Sequence, residues 1–134
     1  MTNLGWEKIR FFKPWEFACP CCGKNNIDMR LVFLLDHLRV WMAQPLKITS
    51  GYRCKKHNRE VGGVPDSAHL KGLAADIYVP NSNFRFFLVH FAIIVGFQRI
   101  GIAKNYIHLD IDKEKPQHVL WLYQKEKGGD QDAY

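Results

Sequence analysis

SAHLKGLAADIYVP, residues 67–80, holds both a strand and the chemistry that the strand would display. From Leu73 to Val79 the side chains alternate: Leu73, Ala75, Ile77 and Val79 share one face, while Ala74, Asp76 and Tyr78 share the other. Pro80 has no N–H to give to a sheet ladder, so the strand stops there. An acid on the face away from the apolar set needs a partner, and Ala74 and Ala75 are small enough to leave room for a metal beside Asp76. His69 precedes Asp76 by seven residues, with Gly72 between them, and is expected in a loop that leads into the strand.

Upstream of this stretch, LKITS at 46–50 reads as a short strand, and Gly51 to Gly72 as a polar, glycine-bearing connection. Before it, Asp28 is suited to cap a helix in which Leu31, Leu34, Leu35, Leu38 and Met42 recur at helical spacing until Pro45. Residues 1–27 show no period and are expected to be irregular. Downstream, Phe84, Phe87, Leu88, Phe91 and Val95 predict a second amphipathic helix stopped by Gly96. FQRIGIA, YIHLDI and VLWLY then follow as three strand candidates. Separate helices and successive strands indicate an α+β fold, a small and mainly antiparallel sheet with helices packed on it. The 134 residues, 47% of them hydrophobic, suffice for one compact domain over 1–124, with a disordered tail over 125–134.

The net charge of +6 is uneven, since residues 1–67 carry eleven Lys and Arg against six Asp and Glu. Such a surplus favours an anionic partner. No basic run is interleaved with stacking aromatics, so nucleic acid is not expected. No apolar run reaches the length of a membrane span. The opening MTNLGWEKIRFFKPWEF lacks the apolar stretch and cleavage site of a secretory signal, and the expectation is a protein made in the cytoplasm.

Further chemistry lies in two other segments. In NYIHLDI, Tyr106, His108 and Asp110 fall at alternate positions of an otherwise apolar strand and point to one face. Two histidines and one carboxylate, His69, His108 and Asp76, each from a separate element, are the ligand set of a catalytic zinc site that leaves a position open for water. In SGYRCKKHN a turn after the strand at 46–50 throws Arg53 towards the same end, where it is suited to a carboxylate or a developing oxyanion. Cys19 and Cys22 have C-x-x-C spacing beside Cys21, and Cys54 follows Arg53. With His57 they offer a structural metal site; a disulfide to Cys54 is the rival arrangement, and free thiols are the third. His37, His90 and His118 show no ligand-like context.

S-G-Y-R at 50–53, H-N at 57–58, V-G-G at 61–63, S-x-H-x-x-G-x-A-x-D at 67–76 and I-H-L-D at 107–110 resemble, in order and spacing, the M15 family of zinc D-Ala-D-Ala peptidases. The resemblance runs from about Phe17 to Ile111. It implies the small α+β fold shared with hedgehog signalling domains, and a metallopeptidase acting on peptidoglycan peptides as a D,D-carboxypeptidase, D,D-dipeptidase or endolysin. It places His69, Asp76 and His108 on the zinc ligands, Arg53 on the arginine that binds substrate or stabilises the oxyanion, and Ser67 on a serine close to the substrate.

The sequence departs from that pattern at the general base. Asn105 and Tyr106 stand where members of the family carry an acid or a second histidine, and neither accepts a proton readily at neutral pH. Asp110, on the face of His108, is the nearest acid; it is expected either to act as the base or to orient a histidine. The expected protein is a monomeric zinc peptidase of the bacterial cell wall, phage-encoded or released by lysis. The alternative is a zinc-containing binding module of the same fold with weakened turnover.

Overall fold

The computed structural model describes residues 5–123, so the tail expected from Lys125 lies outside the described residues. Helix α1 (Met29–Met42) starts at its expected cap, where the Asp28 carboxylate accepts from the Arg30 N–H at 2.8 Å. Leu31, Leu35, Leu38 and Met42 are buried, and Leu34 is half-buried. The helix ends at Ala43, which takes a left-handed backbone at φ 58°, two residues before the expected stop at Pro45. Asp36 is buried on the same helix and accepts from the N–H groups of Arg10 (3.1 Å) and Phe11 (2.9 Å), which docks the irregular entry segment. That segment contains two short 3-10 turns, Trp6–Lys8 and Pro14–Phe17.

Strand β1 (Ile48–Ser50) covers only the end of LKITS. The connection from Gly51 to Gly72 is more ordered than its composition predicts: it contains helix α2 (Lys55–Glu60) and a 3-10 turn, Ala68–Lys71. Both are too short for a recognisable period. Gly72 closes the turn at φ 74°, with its α-carbon against the Asn26 carbonyl, where a Cβ would collide with backbone. Strand β2 (Ala74–Tyr78) follows, then helix α3 (Ser82–Val95), capped by Asn81 and stopped by Gly96. Phe84, Leu88 and Ala92 form its buried stripe; Phe87, expected inside, is exposed and stacks on Phe91. Residues four apart recur on one helix face, and that spacing selects Phe84, Leu88 and Ala92 over Phe87.

Strands β3 (Arg99–Ile102), β4 (Tyr106–Asp110) and β5 (Val119–Leu122) complete a five-stranded sheet of order β1-β2-β4-β3-β5. Every pairing is antiparallel except β3 with β5, so the fold is α+β with a mainly antiparallel sheet. One sheet face, with Ala75, Ile77, Ile100, Ile107 and Leu109, joins the residues of α1 and α3 in a single core. The register then lays a row across the other face: Asp76 opposite His108, His108 opposite Gly101, Gly101 opposite Trp121. A Cβ at Gly101 would lie 2.7 Å from the Trp121 ring and 2.6 Å from that of Tyr123. The missing side chain lets both rings fold over the strand towards His108, with centroids at 5.6 and 6.2 Å.

Candidate metal centre

Three elements bring His69, Asp76 and His108 to one point. Asp76 sits at the middle of β2, His108 is its cross-strand neighbour on β4, and His69 comes from the 3-10 turn before β2. Asp76 Oδ1 lies 3.0 Å from His108 Nδ1 and 3.2 Å from His69 Nε2, and all three side chains are buried. One ligand atom from each falls within 4.8 Å of the others.

The outer nitrogen of each ring is already committed. His69 Nδ1 lies 2.7 Å from the Gly51 carbonyl, which only accepts, so Nδ1 carries the proton and Nε2 turns a lone pair inward. His108 Nε2 lies 2.7 Å from Asp110 Oδ2, and the lowered pKa of Asp110 keeps that carboxylate an acceptor, so Nδ1 is the nitrogen left facing Asp76. In the metal-free protein the proton on His108 Nδ1 lies between the ring and Asp76, and a cation that displaces it would be held by three ligand atoms at once. Burial resists charge on His108, but its hydrogen bonds to Asp110 and Asp76 prevail and push its pKa up to about 9. Burial holds His69 below the ordinary histidine value against the pull of Asp76. Burial also opposes the charge on Asp76, but the two histidines keep it ionised well below the usual carboxylate range. Nitrogen and oxygen donors in this two-histidine, one-carboxylate set fit zinc.

Arg53 lies beside this set and is buried, not spread on the surface. Its Nε donates to Ser50 Oγ at 3.1 Å, Nη1 to Asn58 Oδ1 at 3.1 Å, and Nη2 approaches Asp76 Oδ2 at 3.5 Å. Arg53, Gly63, Val64, Ser67, Tyr106 and Tyr123 join the triad around a cavity of about 20 Å³, close to the room that one water or ion needs. Ser67 lines it, yet its hydroxyl accepts from the His69 N–H at 3.2 Å and so caps the turn that carries the histidine.

Asp110 shares the strand face with His108 but does not line the cavity. Its Oδ1 accepts from Arg99 Nε at 2.8 Å and from the Asp112 N–H at 3.0 Å, while Oδ2 serves His108. Arg99 was not singled out in the sequence, although a charged residue inside the apolar run FQRIGIA is an available signal. It is fully buried, with its guanidinium 4.8 Å from the Trp121 ring. Asn58, which holds Arg53, and the Gly51 carbonyl were likewise not identifiable as supports before the chain was folded.

A family model described as Peptidase M15 matches residues 10–110, a span that includes Arg53, the three candidate ligands and Asp110. No curated protein matches the chain. Among the described residues, no helix is long and apolar enough to cross a membrane. With three quarters of the sequence under the family model and a donor set suited to zinc, the chain belongs to the Peptidase M15 family of zinc-dependent peptidases.

Proposed function

We propose that this chain, as a monomer, hydrolyses D-amino-acid-containing peptides of bacterial peptidoglycan, either as a D,D-carboxypeptidase or as an endolysin-type endopeptidase. The observation that carries this reading is the convergence of three buried ligand atoms next to a buried guanidinium that lines the same cavity. Zinc bound there supplies a Lewis acid for a peptide carbonyl and lowers the pKa of water to about 7.

The protein's own residues do the rest. Gly51 and Asp110 fix the tautomers of His69 and His108 and prevent ring rotation. Ser50, Asn58 and Asp76 hold the Arg53 fork in one orientation, ready for a terminal carboxylate or for an oxygen that gains charge. Ser67 contributes by holding His69 in place, and its hydroxyl lies at the cavity wall. Asp110 is a positioning residue in this reading, because both its oxygens are engaged away from the cavity. The basic surplus of the chain suits the anionic wall.

A second reading is a wall-binding module with weakened turnover. It is favoured by one observation: among the described residues that line the cavity, Asp76 is the only carboxylate, so no acid other than a candidate ligand stands ready as a base. A peptidoglycan digest followed by mass spectrometry separates the two. Shortened stem peptides that disappear in His69→Ala support the enzyme, and their masses identify the bond. Retention on the wall without new products supports the module.

A further inference from the structure

A second group of metal-ligating side chains lies outside the histidine pocket. Three of the chain's four cysteines gather there, and the fourth, Cys22, follows Cys21 in the same turn and is the candidate for a fourth ligand. Cys54 Sγ is 3.7 Å from Cys19 Sγ and 3.7 Å from Cys21 Sγ, and the three sulfurs lie within 4.8 Å of one another. Cys19 is buried, while Cys21 and Cys22 are exposed.

The separations bear on the choice between a disulfide and a metal site. A disulfide needs sulfurs about 2.05 Å apart. Four sulfurs each about 2.3 Å from a tetrahedral zinc lie about 3.8 Å from one another. The observed 3.7 Å matches the second figure.

Backbone N–H groups are arranged to support negative charge on two of these sulfurs. The Cys54 N–H points at Cys19 Sγ (3.5 Å) and the His57 N–H at Cys54 Sγ (3.4 Å). His57 serves through its backbone; its ring Nδ1 is directed at Glu60, 4.0 Å away. The turn that presents Cys19, Cys21 and Cys22 is closed by Gly23 N to Cys19 O (2.7 Å) and Cys19 N to Lys24 O (2.8 Å). Cys19 and Cys21 thus reach from one tight turn to Cys54, which lies 35 residues from Cys19 in sequence.

We propose that Cys19, Cys21, Cys22 and Cys54 bind a second zinc in a closed, four-thiolate structural site. The site ties the entry segment to the loop between β1 and α2. That loop supplies the Gly51 carbonyl to His69 and carries Arg53, so the second metal would brace the first centre without touching substrate. This inference is independent of which bond the protein cuts, or whether it cuts one.

The test is metal content and spectroscopy on the full chain, purified in reductant without chelator. Two zinc ions per chain are expected, with one remaining in His108→Ala and one in Cys54→Ser. Because Cys54→Ser removes a partly packed residue, Cys21→Ser and Cys22→Ser serve as companions at exposed positions; each is expected to fold and to hold the second zinc at least about tenfold more weakly. Cobalt-loaded wild type should show an intense thiolate-to-metal charge-transfer band, which the nitrogen and oxygen donors of the histidine pocket cannot produce. A zinc content that Cys54→Ser leaves unchanged, a cobalt spectrum without the thiolate band, or two of the four cysteines resistant to alkylation in denaturant and chelator without reductant would each overturn the proposal.

Discussion

Asp110 places one carboxylate oxygen 2.7 Å from Nε2 of His108 and the other 2.8 Å from Nε of Arg99, so one buried acid joins a candidate metal ligand to a buried cation. This arrangement gives His108 a fixed ring orientation and directs the Asp110 carboxylate away from the cavity. A general base has to reach the attacking water, and neither oxygen is directed to do so.

Asp110→Asn is therefore expected to weaken zinc in the histidine pocket by about 10–100-fold, with activity recovered by excess metal. Zinc titration against a competing chelator, alongside kcat at saturating zinc, checks this. A kcat that stays low with the pocket full would return Asp110 to the role of base.

Arg53→Lys should keep both fold and zinc but lose at least about tenfold in rate. The guanidinium spans Ser50, Asn58 and the Asp76 side in three directions at once, and an ammonium cannot hold that fork. Steady-state kinetics and zinc content on the same preparation decide it; unchanged kcat/KM would remove Arg53 from the reaction.

Gly72→Ala should destabilise the protein by at least about 1 kcal/mol, since the backbone is left-handed there and a Cβ would strike the Asn26 carbonyl. The Gly72 carbonyl also accepts from the Asp28 N–H at 2.8 Å, so the strain falls on the junction between α1 and the turn carrying His69. Denaturant midpoints measure this; a variant as stable as wild type would contradict the crowding at this position.

Metal-free protein should lose stability as pH rises towards 9. The folded pKa of His108 is raised to about 9 while its unfolded value is near 6.5. Its stabilising contribution is thus complete below the unfolded value and vanishes as pH passes the folded one. Melting temperatures of chelated wild type and chelated His108→Gln, compared from pH 6 to 10, should converge as pH rises. A constant difference between them would refute the link to His108.

The sequence alone determined the parts whose signal is local. Asp28 and the leucine period of α1, the alternation from Leu73 to Val79, and the polar face of YIHLDI all depend on neighbours within a few residues, and they already put Asp76 and His108 on polar strand faces. Ordered motifs over 50–110 carried the family, which residues 10–110 then matched. Tertiary structure decided the rest. Only the β2–β4 register sets Asp76 opposite His108, because a shift of one residue would turn the strand's other face to its partner. Only the β3–β4 pairing brings Arg99 to Asp110 and so turns that acid away from the cavity, and only the packing of the entry segment on the β1–α2 loop puts Cys54 3.7 Å from Cys19 and Cys21. These relations join residues that local periodicity treats independently, and they are fixed by the burial and pairing of whole elements.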